Sequence, residues 1–321
     1  MTSPHDTSTA PELDILVAGG GAAGLAAAVT LARSRRSVTV VDSGRPRNAP
    51  AEGVHALLGR EGISPAELLA AGRREVAGYG GKILDGEITA VRRLEDGRFE
   101  ATVTGGPDGG TVHTARRLLI ATGLTDELPD VPGLAEHWGH RAIHCPYCHG
   151  WEVRDRSILV LGTSPNSVHQ ALLFNQLSAD VRFLVDTGRG PGLEEEQARM
   201  LAARGIPVIA GEAAGVESEV LDGETRLTGV RLAGGELLPA EVLVVATRML
   251  ANTAVFEPLG LRTEENPMGR FVSVDAFGRT SVPGVSAAGN ASDLSAQVGA
   301  AAAAGTMAGA QLNAELVMEG L

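Results

Sequence analysis

A strand–glycine–helix–strand–acid unit opens the chain and limits what it can fold into. Leu13-Asp-Ile-Leu-Val-Ala18 reads as an apolar strand, and Gly19-Gly20-Gly21-Ala22-Ala23-Gly24 follows directly. A helical run, Leu25–Ser34, comes next, then a second strand, Ser37–Val41, ending in Asp42. The spacing G-x-G-x-x-G is met at Gly19, Gly21 and Gly24. The first glycine permits a tight turn, the second lets a backbone approach a pyrophosphate, and the third lets helix and strand pack closely. The pyrophosphate then rests on the helix N-terminus, where unpaired N–H groups and the helix dipole favour anions. Asp42 lies about 20 residues downstream, the usual place for an acid that accepts from ribose hydroxyls. In this order the motif specifies a dinucleotide-binding α/β unit; three glycines alone would not.

A second unit of the same type is damaged. Ser157-Ile-Leu-Val-Leu161 is a buried strand, followed by Gly162-Thr-Ser-Pro-Asn-Ser167 and the helical run Val168–Leu177. Only the first glycine survives. Ser164 and Ser167 stand at the other two positions, and Pro165 removes a backbone donor and fixes φ. The next strand, Val181–Val185, ends in Asp186, an acid that opposes a 2′-phosphate and suits a 2′-hydroxyl. Arg182 and Arg189 are nearby. The sequence therefore argues against NADPH more firmly than against every nicotinamide.

Between the two units lies His144-Cys-Pro-Tyr-Cys-His-Gly-Trp151, which holds both cysteines of the chain in C-x-x-C spacing. Such a pair commonly has a lowered thiol pKa and can close on itself, releasing a partner as a disulfide or a dithiol. Half of the eight histidines, His137, His140, His144 and His149, crowd this region, with both tryptophans, Trp138 and Trp151, and one of the two tyrosines, Tyr147. Zinc is the competing reading, since Cys and His are its ligands, but no second Cys pair exists. A structural disulfide would close a trivial loop and gain little. Redox chemistry is the favoured reading, with no metal. Imidazole titrates near neutrality, so His149 or His144 is a candidate base beside Cys145 and Cys148. His137 and His140 have a weaker claim. The aromatic residues line a substrate cavity or pack between domains; the sequence leaves both open.

At 321 residues the chain suits two domains of ordinary size. Its net charge of −12 disfavours nucleic acid and anionic membranes as partners. Met1–Pro11 reads as a loose polar tail rather than a signal peptide. Ala296–Ala310 is too short and too weakly apolar to span a bilayer and reads as a buried helix. Two cysteines without an export signal point to a reducing cytosol, where a C-x-x-C is catalytic more often than structural. The Asp-Gly turns in Arg93–Gly97 and Gly105–Gly110 read as surface turns.

Near the C-terminus, Val285-Ser-Ala-Ala-Gly-Asn290 reads as a short strand and turn, and Gln297-Val298 opens the Ala/Gly-rich helix. Ala121-Thr-Gly123 and Ala246-Thr-Arg248 look like paired crossover strands between two domains. On these residues the chain is similar, over nearly its whole length, to the low-molecular-weight thioredoxin reductases. Arg47-Asn-Ala-Pro50, Val54-His55, Gly59-Arg-Glu-Gly62 and Cys145–Glu152 most resemble the gliotoxin- and holomycin-type FAD-dependent dithiol oxidases. The resemblance implies two doubly wound Rossmann-like domains, the second inserted into the first. Residues 1–120 and 246–321 would bind FAD, and 121–245 would form the nicotinamide-type domain carrying the dithiol.

By the same resemblance, FAD is the cofactor, and the chain forms a C2 homodimer. FAD would be held at Gly19, Gly21, Ala22, Ala23, Gly24 and Asp42 in the first unit. Arg47, Asn48, His55 and Ile88 would add contacts, as would Ala121, Thr122 and Gly123, and then Gly289, Asn290, Gln297 and Val298. Cys148 would lie against the flavin and Cys145 would face the substrate. Reductases of this branch carry an Asp after the second cysteine; here His149 stands there. The leading functional expectation is oxidation of a small-molecule dithiol to a disulfide, with dioxygen reduced to hydrogen peroxide. The alternative is a nicotinamide-dependent thioredoxin reductase. A third reading, a non-enzymatic flavin or redox sensor, fits a reactive C-x-x-C poorly.

Overall fold

Leu13–Ala18 is the centre of the first sheet. It pairs in parallel with Val38–Asp42 on one side and with Gly109–Ile120 on the other. Lys82–Asp85 extends the parallel side, and Val285–Ala287 returns late in the chain to pair with Gly109–Ile120. Phe99–Gly106 and Glu87–Arg93 continue the sheet antiparallel. The computed structural model describes residues 13–106, 109–221 and 223–321. The expected N-terminal tail and the centre of the Gly105–Gly110 turn lie outside the described residues. The parallel strands are buried on both faces, so Ile15, Leu16 and Val17 are fully covered and read as a continuous apolar run.

The second sheet is wholly parallel, in the order Val208–Gly211, Val181–Asp186, Ile158–Leu161, Val242–Val245 and Ala142–Ile143. A three-stranded antiparallel sheet, 213–239, covers one side of this unit. The expected crossover is an antiparallel pair, Leu124–Glu127 with Arg248–Ala251, just beyond the two Ala-Thr sequences. These two strands belong to a four-stranded sheet of their own with Gly269–Val272 and Thr263–Asn266. The fold is thus the expected mixed α/β arrangement of two Rossmann-type units.

The C-terminal helix, Val298–Met318, is longer than the sequence reading and is not buried all round. It covers Ala301, Gly305, Ala308, Gly309, Leu312 and Leu316, whereas Ala300, Ala303, Ala304, Met307 and Ala310 face outward. Its small residues serve one close crossing. A Cβ at Gly305 would lie 2.0 Å from the Ala23 carbonyl oxygen, so only glycine lets this helix reach the helix Ala22–Arg33. No helix among the described residues is long and apolar enough to cross a membrane.

Candidate functional site

The first cradle is built by backbone contact. Gly19 has φ +106°, and a Cβ there would lie 2.3 Å from the Ala121 carbonyl oxygen. A Cβ on Gly24 would lie 1.9 Å from Gly19 O, so this glycine is required by the turn itself. Gly21 differs: a Cβ there meets nothing within 4 Å. It caps the helix Ala22–Arg33, and no side chain satisfies that helix's first N–H groups. The open side of Gly21 and an uncapped helix start are what an approaching pyrophosphate needs.

The Asp42 carboxylate lies against Gly20, where a Cβ would sit 2.5 Å from it. Arg73 donates to one of its oxygens at 2.6 Å and Gly44 N–H to the other at 3.2 Å. A carboxylate has about four acceptor positions, so this pairing still leaves room for ribose hydroxyls. Arg73 was invisible to the sequence reading; nothing local marks it. Gly289, with φ +68°, comes against Ala23, which brings the segment Gly289–Val298 beside the same helix start. Gln297 is the N-cap residue of the last helix, and Asn290 Nδ2 donates to Asp293 O and Ala296 O. Ala121, Thr122 and Gly123 follow the strand that pairs with Leu13–Ala18, and Thr122 is tied to Asn252. Ile88 is buried in the apolar core on that side, and Asn48 closes a turn onto Ala51.

The second cradle is filled by its own chain. Its helix, Ser167–Phe174, begins only at the third motif position, whereas the first helix begins directly after Gly21. Ser164 N–H donates to the Ser167 hydroxyl and Asn166 N–H donates to the Ser164 hydroxyl, both at 3.3 Å. Pro165 has no N–H. Two loop donors of this cradle are therefore engaged within the loop and a third is absent, although no side chain caps the helix start. Asp186 is fully buried, accepts from Gly188 N–H at 3.0 Å and faces Arg189 Nη1 at 3.4 Å, so it does not present itself to a ribose. Arg189 also donates to Asp130 O and Ala213 O. Arg182 is held by Ser157, Pro239 and Asp180. Gly190 packs directly on Gly162, where a Cβ would lie 2.0 Å from the carbonyl oxygen.

Cys145 and Cys148 are joined as a disulfide across the single turn Pro146–His149. Pro146 supplies the fixed φ of a first helical position and Cys145 is the N-cap. Gly150 closes the turn, because any Cβ there would strike Pro146 O and Leu177. Tyr147 and Trp151 are each 66% exposed beside the disulfide, and the Arg154 guanidinium lies over the Trp151 ring. Trp138 instead packs on the core of the second unit and stacks on His144 at 5.6 Å. His137 is buried and bonded to the Ser218 hydroxyl at 2.6 Å, a packing role.

The two histidines that flank the cysteines have different surroundings. Both ring nitrogens of His149 are covered and neither has a hydrogen-bond partner among the described residues. Burial lowers its pKa below the ordinary value; Glu152 opposes this, and His55 and His140 add to it. His149 is therefore a neutral imidazole with no assigned bond. His144 is pushed down to about 4, first by burial and then by Arg47, against the pull of Asp126 and with a further push from His149. Its Nε2 faces Arg47 Nη2 at 3.4 Å. Because guanidinium only donates, Nε2 must be the acceptor. The sequence reading missed Asp126, which takes the Arg47 fork at 2.6 and 2.7 Å. His55 bonds Glu61 at 2.7 Å and faces Glu152, just beyond the dithiol, at 3.5 Å.

His144 has a consequence for acid stability. Its folded pKa is depressed from 6.5, so below pH 6.5 the unfolded chain binds a proton that the folded chain refuses. Stability is lost as pH falls from 6.5 toward about 4, and at ~1.4 kcal/mol per pH unit His144 alone removes roughly 3 kcal/mol. Chemical denaturation of the holoprotein at pH 7 and pH 4.5 should show this loss, and His144→Gln should lack it. Equal losses in both proteins would refute the assignment.

Comparison with known proteins places the chain. Residues 13–308 match the pyridine nucleotide-disulphide oxidoreductase family. The thioredoxin reductase tcpT of Claviceps purpurea is 31% identical over 317 residues, covering 97% of each chain. The thioredoxin reductase sirT of Leptosphaeria maculans is 31% identical over 319 residues, 95% of each. The crystal structure of HlmI is similar at TM-score 0.85 and 42% identity, over 96% of this chain and 94% of that one. With the first cradle open to a dinucleotide and a redox disulfide beyond it, the chain belongs to the pyridine nucleotide-disulphide oxidoreductase family, on its thioredoxin reductase-like branch, and FAD is its cofactor.

Proposed function

We propose that this oxidoreductase is an FAD-dependent dithiol oxidase that closes a disulfide in a small-molecule dithiol. The observation that carries the reading is the second cradle, where the loop N–H groups of Ser164 and Asn166 are spent on the Ser167 and Ser164 hydroxyls and Pro165 has none. A reductase needs nicotinamide electrons to enter there. Without that entry, electrons enter through the dithiol. The resemblance of Cys145–Glu152 to the holomycin-type dithiol oxidases implies the same direction. We take residues 1–120 with 246–321 as the FAD-binding unit and 121–245 as the inserted dithiol unit, in a homodimer, acting in the cytosol.

The residues act as follows. A substrate thiolate attacks Cys145 Sγ, the Cys145–Cys148 bond breaks, and Cys148 leaves as a thiolate. The second substrate thiol attacks the substrate sulfur of the mixed disulfide, and Cys145 leaves in turn. The substrate has lost two electrons and two protons and departs as a cyclic disulfide. His149 accepts the proton of the attacking thiol, because it is neutral, covered and without another bond. His144 is the weaker candidate base, since its Nε2 already faces Arg47. Exposed Trp151 and Tyr147 offer an apolar platform for the substrate. FAD, held at Gly19–Gly24 and Asp42, would supply the two-electron acceptor for the Cys145–Cys148 dithiol, with dioxygen as the final acceptor and hydrogen peroxide as its product.

Oxygen uptake with a panel of small dithiols tests this reading. One hydrogen peroxide should form per disulfide closed, and His149→Gln should slow turnover by ~10²-fold or more. The acid limb of the rate profile should lie below pH 6.5, because His149 is depressed from that value and works only when neutral. Dithiol turnover without oxygen consumption would overturn the reading.

A further inference from the structure

Four segments meet at one buried carboxylate. Asp126, 5% exposed, stands on the crossover strand Leu124–Glu127. Arg47, from the loop after Val38–Asp42, holds it with Nε and Nη2 at 2.6 and 2.7 Å. Thr247, just before the returning strand Arg248–Ala251, donates its hydroxyl to the same carboxylate at 2.7 Å. The fourth segment is the dithiol's own, because Arg47 Nη2 also faces His144 Nε2, and His144 is bonded in sequence to Cys145. The His144 ring stacks on Trp138, and Gln170 Nε2 donates to the His144 carbonyl. The charged and titratable groups facing His144 are Arg47, Asp126 and His149; the first and last oppose a proton on it and Asp126 favours one.

We propose that Arg47 is a positioning residue for the dithiol: held by Asp126, it keeps His144 a neutral acceptor and so fixes the Cys145 segment against the crossover strands. Only a bidentate cation does both. It satisfies the buried Asp126 carboxylate and leaves one N–H edge for His144. Without it, Asp126 is a buried charge lacking its partner, and a proton on His144 is the nearest remedy. The proposal rests on the reading that Cys145–Cys148 exchange is the working chemistry, but its test reads the His144 proton itself.

The experiment is NMR titration of holoenzyme carrying 13C-labelled histidine, with the His144 signal identified by its loss in His144→Gln. Wild-type His144 should stay neutral to below pH 5, since its pKa is about 4. Arg47→Met should raise its titration by more than one pH unit, and the double variant Arg47→Met/Asp126→Asn should bring it back down. Arg47→Lys, which keeps the charge, should leave it low. In Arg47→Met, bleaching of the flavin by a small dithiol should slow and gain an inflection at the raised His144 pKa. A wild-type His144 titrating at or above pH 6.5 overturns the proposal even if Arg47→Met does not fold. So does an unchanged titration in Arg47→Met, or no return in the double variant. If His144 behaves as stated while dithiols fail to bleach the wild-type flavin, the functional reading falls and this one stands.

Discussion

Cys148→Ser should abolish bleaching of the flavin by a small dithiol while leaving the Cys145 thiol able to attack the disulfide of a small thiol and hold half of it as a mixed disulfide. Turnover should fall by ~10³-fold or more, because without Cys148 the substrate finds no disulfide to attack. Cys145→Ser should be as inactive for the same reason. It leaves Cys148 unable to form the disulfide that the substrate attacks. A long-wavelength absorbance band from a Cys148 thiolate beside oxidised flavin should then appear. Mass spectrometry of the Cys148→Ser protein incubated with the disulfide of a small thiol should find the adduct on Cys145. An adduct on residue 148 of the Cys145→Ser protein, with none on Cys145 of the other variant, would reverse the two roles. Full turnover in both variants would remove the dithiol from the mechanism.

Gly21→Val should yield a folded protein that does not hold FAD. The structure leaves open space at that position, where a Cβ meets nothing within 4 Å, so the new side chain enters the room the pyrophosphate requires. Overpacking costs ~1–3 kcal/mol and each lost charge-assisted hydrogen bond ~1.5–3 kcal/mol, so binding should weaken by ~10³-fold or more. Gly24→Val is the control with the opposite failure. Its Cβ would sit 1.9 Å from Gly19 O, so the turn itself cannot form and the protein should lose its fold, not only its colour. Flavin absorbance of the purified proteins, together with circular dichroism, separates the two outcomes. A yellow Gly21→Val protein would refute the placement of the dinucleotide.

The parts of this account that were legible in the sequence are local. The apolar run Leu13–Ala18, the glycine spacing after it and the Asp at the end of Val38–Asp42 carry their geometry within 30 residues of chain, and the structure forms them as read. The losses at Ser164, Pro165 and Ser167 were also legible, but not their consequence. That the two serines satisfy one another's neighbouring N–H groups depends on hydroxyl positions in a folded turn. The pairing of Arg47, Asp126 and Thr247 left no sequence signal. Arg47 and Asp126 are 79 residues apart, and Asp126 and Thr247 are 121 apart, so no periodicity or spacing links them. Composition misled at Ala296–Ala310, where small residues suggested burial on all sides. They serve instead the single backbone crossing at Gly305, while Ala303 and Met307 face outward.

The direction of electron flow is the central claim, and anaerobic stopped-flow reduction of the holoenzyme tests it most directly. A small dithiol should bleach the flavin within the turnover time, and NADPH or NADH at the same concentration should not, because the loop of the second cradle has its Ser164 and Asn166 N–H groups engaged and none at Pro165. Rapid bleaching by NADPH, with none by the dithiol, would contradict the oxidase and establish a nicotinamide-dependent reductase in its place.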